Sequence, residues 1–506
     1  MSKINSNIIY DVVVTGSGLG GLVSALILAK EGKKVCVLEK NNQYGGNLQT
    51  FVRNKTIFDT GVHYVGGLEP GQNLHTYFSY LEIQSDLKLQ KLDTDCFDSI
   101  YFAEDNTAYP LAQGYDNFIA QLLKFFPSEE VALQQYINDI KSICAKFPLY
   151  NVSIEGSYDS DVFELSLSNY LENLTSNLKL RAVLTGNSFL YAGYTNTPFY
   201  MHALILNSYI QSAYRCINGG SQITNLLIKQ LRTYNAEVYK HTEVVKYVVE
   251  NDIIKYVQLK DGNCIQSKLF ISNIDPKTTL NQVGPSYFKK AYYNRISQLE
   301  DTIASFSVFI KLKPNTIEYL NYNLYSHTNI SDSLLIEGID TKVSKFLIAM
   351  NAKGTDQKFA DSICLLSYMN FDLVKKWENS KNTVSKPMDR GTDYEKFKKV
   401  IADLLIEEAE KVIPNLKSNI ELIDTASPLS YRDYIGGNQG NLYGSIKDAS
   451  QPLRHFIASK SKISNLYFTG QGVNMHGILG VTIGAVSTCA EILGRNYLLD
   501  KIKNHA

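Results

Sequence analysis

Residues 11–40 read DVVVTGSGLGGLVSALILAKEGKKVCVLEK, with glycines at 16, 18 and 21 and an acid, Glu39, closing the second apolar run. Residues 8–14 are continuously apolar and rich in β-branched side chains, the pattern of a strand covered on both faces. Residues 22–30 then carry apolar side chains at helical spacing, and residues 34–38 predict a second parallel strand. The glycines fall on a strand-to-helix turn, the context in which G-x-G-x-x-G denotes a dinucleotide loop. Gly16 permits the tight turn, Gly18 the approach of a pyrophosphate, and Gly21 close packing of helix on strand. Ser17, Leu19 and Gly20 complete the loop. The helix start adds unpaired N–H groups and a positive dipole end for phosphates. Glu39 is suited to accept hydrogen bonds from both ribose hydroxyls, and its charge disfavours a 2′-phosphate, hence NADP.

A chain of 506 residues calls for two or more domains. Lys and Arg number 50, as do Asp and Glu, so the formal net charge is zero. That balance argues against a nucleic-acid partner bound through a general basic field. The cysteines at 36, 96, 144, 216, 264, 364 and 489 form no C-x-x-C pair, which fits a reduced, cytoplasmic-type chain. The histidines lack metal spacing such as H-E-x-x-H, so no metal is expected. Residues 1–7 are polar, unlike a signal peptide, and no run has the sustained hydrophobicity of a spanning helix. Residues 182–214 lack Lys, Arg, Asp and Glu, yet polar residues interrupt them. They read as helices lining an apolar cavity or touching a membrane surface, with plain core an even alternative.

The second half of the site decides between nucleotides. Gly45 and Gly46 follow Glu39 in NNQYGGNLQT, and TIFDTGVHYVGG follows from Thr56. An NAD domain has no need of that glycine pair; in a two-domain flavoprotein it admits the pyrophosphate and the flavin end. The order Gly16-x-Gly18-x-x-Gly21, Glu39-Lys40, Gly45-Gly46 and Phe58-Asp59-Thr60-Gly61 resembles the FAD-dependent amine oxidase and phytoene desaturase superfamily. FDTGVHYVGG, with His63 and Tyr64, most resembles its retinol saturase and carotenoid isomerase branch. Residues 465–494, NLYFTGQGVNMHGILGVTIGAVSTCAEILG, are similar to that branch's second FAD segment. The resemblance covers both ends of the chain and is weak between them. It implies FAD as cofactor, with Gly470, Gln471, Met475, Gly480 and Val481 near the flavin and Val244 near the adenine. Many relatives carry Arg or Lys where this chain has Asn47; Lys40 or backbone amides would supply the missing charge.

The resemblance implies an α/β fold, a Rossmann-like FAD-binding domain (1–80, 216–290, 440–506) interleaved with an α+β substrate domain (81–215, 291–439). By pattern, residues 86–215 read as helices and loops. Residues 236–275 read as a β-meander, and residues 295–429 as strands with one charged helix over 393–412. His63 and Tyr64 are the candidate catalytic proton donors, with His476 a weaker one. Asp59 reads as the anchor of a local Asx-type turn.

The implied activity is saturation of a double bond in a long apolar polyene or isoprenoid by hydride transfer at flavin N5. Desaturation and cis–trans isomerisation are the rival chemistries, and a non-catalytic lipid escort protein is the rival of another class. An apolar small-molecule substrate, peripheral membrane contact in a cytoplasmic setting and an unidentified electron donor complete the expectation, since a second nucleotide motif is lacking.

Overall fold

The computed structural model describes residues 4, 8–155, 161–331 and 342–505. Its opening stretch folds as strand Ile9–Thr15, helix Leu19–Lys30 and strand Val35–Leu38. The two strands run parallel, Val12 opposite Val35 and Thr15 opposite Leu38. On its other side the first strand pairs in parallel with Cys264–Ser272. That strand is also the last of the expected meander, after Val244–Glu250 and Ile253–Leu259. Its start pairs with the meander and its end, in parallel, with Leu466–Phe468. Three distant segments therefore meet in one seven-stranded sheet, with Glu237–Tyr239 at its edge.

Helix Leu19–Lys30 is buried from Leu19 to Ala29. An apolar helix without a polar face must be covered all round. The sheet lies on one side, and helices Ser221–Thr233 and Gly477–Leu493 pack on the others. The C-terminal segment thus returns to the loop it completes.

A second seven-stranded sheet runs in the order Ile420–Ala426, Ala304–Leu312, Ser362–Met369, Lys345–Met350, Asn323–His327, Asp98–Phe102, Thr107–Leu111. Its neighbours are antiparallel except Asn323–His327 with Asp98–Phe102. The hairpin Asp98–Leu111 corrects the reading of residues 86–215 as helices and loops. Its partner in the sheet stands more than 200 residues away, beyond the reach of local pattern. Side chains alternate across this sheet. Leu324, Ile348 and Leu365 pack toward helix Thr392–Glu410. Tyr325, Leu347 and Leu366 face the opposite way, into the space between the sheets.

Candidate functional site

A cleft of about 750 Å³ lies between the two sheets. Most of the glycine-loop and C-terminal positions expected from sequence meet there: Gly16, Ser17, Gly18, Leu19 and Gly20; Glu39 and Lys40; Gly45, Gly46 and Asn47; Gly470, Gln471 and Val481. Val244, His63 and Tyr64 line it too. Gly21 lies beneath the loop, where a Cβ would stand 2.2 Å from the Gly16 carbonyl oxygen. Met475 and Gly480 line a neighbouring cavity instead.

The loop is assembled from both chain ends. Gly18 and Gly45 form a parallel bridge, and the Gly45 N–H donates to the Ser17 carbonyl at 3.1 Å. The Asn47 amide donates to Gln471 Oε1 at 3.0 Å, tying segments 424 residues apart. Glu39 Oε2 accepts from the Ser17 N–H (3.0 Å) and hydroxyl (2.6 Å), and Oε1 from the Asn41 N–H (2.8 Å). Helix Leu19–Lys30 has Gly18 as N-cap, without a side-chain cap and without an acid in its first turn. Its first-turn amides therefore face the cleft without a side-chain partner, which suits a pyrophosphate. Cβ atoms on Gly18 and Gly20 would stand 2.8 and 2.7 Å from the Asn273 side-chain amide. Asn273 directly follows the central strand; sequence reasoning passed over it because nothing local in SNID marks it.

Asp59 corrects another reading. Its Oδ1 accepts from the Gly220 N–H at 2.7 Å, a bond spanning 161 residues rather than a local turn. Burial pushes this carboxyl up to about 7, against the lowering effect of that bond. Asp59 thus holds the start of helix Ser221–Thr233 against the strand that leads to His63.

Toward the second sheet the cleft is aromatic. Tyr64 donates its hydroxyl to Asp98 Oδ2 at 2.8 Å, and the Tyr325 hydroxyl lies 2.8 Å away on its other side. Asp98 also accepts from Asn187 (3.0 Å) and Asn323 (2.9 Å), and Asn323 Oδ1 accepts from Arg215 (2.9 Å). Burial lifts Asp98 to about 6, partly offset by the Asn187, Asn323 and Tyr64 hydrogen bonds. The His63 ring nitrogens are both buried without a hydrogen-bond partner among the described residues. Burial lowers His63 to about 4, and the nearby Arg215 charge adds to the effect, so the ring is neutral at pH 7. His476 Nε2–H donates to the Leu190 carbonyl (3.2 Å), and the ring packs 4.4 Å from the Tyr443 ring. Its ring is likewise lowered to about 4 by burial.

The second cavity, about 1300 Å³, shares Leu190, Tyr209, Gly477 and Ile478 with the cleft. Its walls are mainly aromatic and aliphatic, including Tyr200, Leu204 and Ile205 of helix Phe199–Gln211. The charge-free stretch thus divides between the two readings: Leu190, Tyr200, Leu204, Ile205 and Tyr209 line the cavity, and Val183, Leu184, Ala203, Leu206 and Ile210 pack in the core.

A nucleotide-type cleft under a parallel sheet, faced by a second sheet and opening into an apolar cavity, defines a two-sheet dinucleotide-binding architecture. The family model described as an NAD(P)-binding Rossmann-like domain matches residues 14–81. Cyclohexylamine oxidase from Brevibacterium oxydans shares the fold, with TM-score 0.60 at 13% identity, covering 98% of this chain and 100% of that one. In sequence, the all-trans-retinol 13,14-reductase of Danio rerio is 27% identical, covering 97% of this chain and 87% of the relative. A chloroplastic prolycopene isomerase from an Oncidium hybrid cultivar is 22% identical over 93% of this chain and 82% of its own. The chain is a homologue of the retinol reductase and carotenoid isomerase proteins over nearly all its length.

Proposed function

We propose that this protein is an FAD-dependent oxidoreductase that saturates a carbon–carbon double bond of a long apolar polyene or isoprenoid. The observation that carries the reading is the meeting of the two cavities at Leu190, Tyr209, Gly477 and Ile478. A cofactor filling the cleft would there face an apolar chain lying in the second cavity. The likeness to a protein named for reduction of all-trans-retinol supports the reaction. In this reading residues 1–80, 216–290 and 440–506 form the cofactor half, and residues 81–215 and 291–439 the substrate half.

The glycine loop, the free first-turn amides and Asn47 with Gln471 would hold the diphosphate, and Glu39 the ribose, exchanging its Ser17 bond for sugar hydroxyls. Bound flavin would supply the hydride for one carbon of the double bond. The other carbon needs a proton. Tyr64 is committed to Asp98 and Tyr325, whereas the His63 ring nitrogens carry no such bond. His63, neutral at pH 7, can pass a proton on from one ring nitrogen while taking one up at the other and is therefore the better of the two candidates for relaying that proton, and Tyr64 positions the aromatic wall. The surrounding apolar side chains exclude water, which keeps the reduced cofactor from wasteful side reactions.

Isomerisation is the second reading, favoured by the likeness to prolycopene isomerase. Among the described residues no helix is long and apolar enough to cross a membrane. Leu453 and Phe456, 84% and 57% exposed, stand at the rim of the apolar cavity beside Arg454 and Lys460. That rim suits contact with a lipid surface that holds the substrate. Purification tests the cofactor assignment: the expected protein is yellow and releases FAD on denaturation. A colourless protein that fails to take up added FAD contradicts it and favours the lipid escort alternative.

A further inference from the structure

Lys447 lines the second cavity and is only 6% exposed. Its ammonium makes no ion pair and no side-chain hydrogen bond among the described residues. The adjacent Asp448 is engaged elsewhere, accepting at Oδ1 from the Ser450 N–H (2.8 Å) and hydroxyl (2.7 Å). The backbone on either side of the ammonium-bearing residue is pinned. The Lys447 carbonyl accepts from the Tyr194 hydroxyl at 2.9 Å, and the Ala449 N–H donates to the Asn196 carbonyl at 2.9 Å. Buried cations without a partner are costly, and proteins rarely keep them without a use.

The surroundings define that use. Burial alone lowers Lys447 to about 8, so the ammonium form still predominates at neutral pH. His455 and His476, also in the cavity wall, are held near 4 and are neutral there. The other charged groups of the wall, Glu164, Arg454, Lys460, Glu491 and Arg495, are exposed. Lys447 is thus the one fixed charge among the buried side chains of this wall. Elsewhere in the same cavity wall, Tyr200, Leu204, Ile205, Leu479 and Ile483 offer apolar surface.

We infer that Lys447 receives the anionic oxygen head, carboxylate or phosphate, of an amphipathic substrate whose apolar chain lies along this wall. The inference rests on the proposed reading that the second cavity takes the substrate, and it narrows that substrate from any polyene to one with an acid head. A charge-assisted hydrogen bond in apolar surroundings is stronger than one to a neutral hydroxyl. The expected preference for an anion over the matching alcohol is roughly tenfold to a hundredfold.

The test uses three probes with one chain: all-trans-retinoate, all-trans-retinyl phosphate and all-trans-retinol. Each is titrated into the oxidised full-length protein, without reductant, and binding is followed by quenching of protein fluorescence. Expected is tighter binding of at least one anion than of the alcohol by about tenfold or more, the favoured anion identifying the head. Lys447→Met should abolish the preference by weakening the anion far more than the alcohol, whereas Lys447→Arg should retain it. Equal binding of alcohol and both anions by the native protein overturns the inference without recourse to any variant; so does a preference that survives in Lys447→Met. Anion binding through Lys447 with no change in the conjugated chain under reducing conditions would sink the catalytic reading and leave this one standing.

Discussion

Replacing Gly45 by alanine should break the site at its seam. Gly45 has φ of +110°, and a Cβ there would stand 2.4 Å from Thr224 Oγ1 and 3.2 Å from Thr224 Cγ2. Two costs follow. A side chain in left-handed backbone costs roughly 1–2 kcal/mol. Forcing a methyl into the occupied space beside Thr224 costs about 1–3 kcal/mol more. The sum is about 2–5 kcal/mol, a large share of a domain's net stability. Because Gly45 bridges Gly18 and its N–H bonds to Ser17, the movement that relieves the clash displaces the loop. Gly45→Ala should therefore lower the urea midpoint and reduce retained flavin together. Thr224→Ala supplies the control: its hydroxyl has no hydrogen-bond partner among the described residues, so its loss is mild. In Gly45→Ala/Thr224→Ala the two closest contacts go, the 3.3 Å approach to the Cβ of residue 224 and the backbone strain stay, and a coupling energy of about 1–3 kcal/mol is expected. A Gly45→Ala protein within about 0.5 kcal/mol of native stability, with full flavin content, would refute this reasoning.

The Asp59 carboxyl is raised in the fold, so it disfavours the native state once deprotonated, and stability falls as pH rises from the unfolded value near 4 through about 7. Asp59→Asn removes this titration: relative to the variant, the native protein should lose on the order of 4 kcal/mol between pH 4 and pH 8 in urea unfolding. Arg390 pairs with Asp433, their side chains 3% and 0% exposed. Arg390→Met should lower thermal stability by about 3 kcal/mol, because a buried carboxylate loses one of its two arginine partners. His63→Ala should lower the rate of double-bond reduction about 10²-fold or more with flavin content unchanged, measured by stopped-flow loss of polyene absorbance. Tyr64→Phe should instead act mainly on stability, by about 1–3 kcal/mol, since it strips a donor from Asp98.

What the sequence disclosed follows the range of each interaction. The strand–loop–helix of residues 9–38 was legible because its glycines, apolar periodicity and Glu39 lie within 30 residues of one another. The meander was legible from alternation, although its last strand doubles as the centre of the parallel sheet. The hairpin beginning at Asp98 escaped notice because its residues satisfy a sheet only when Asn323–His327 arrives beside them. Asp59 was read as a local turn for the same reason: its true partner, Gly220, is distant in sequence. Asn273 lies at the end of the stretch read as a meander and Lys447 in one that carries no motif, and only the fold reveals that one underlies the glycine loop and the other lines an apolar cavity.

A single anaerobic turnover shows whether electrons held by the flavin pass to the polyene. The flavin of the purified protein is photoreduced, a conjugated polyene is added, and both absorption bands are followed together. The polyene band should shift to shorter wavelength as flavin absorbance returns, one double bond lost per flavin reoxidised. An unchanged flavin spectrum alongside an intact polyene band, with binding of the polyene verified independently, would contradict it.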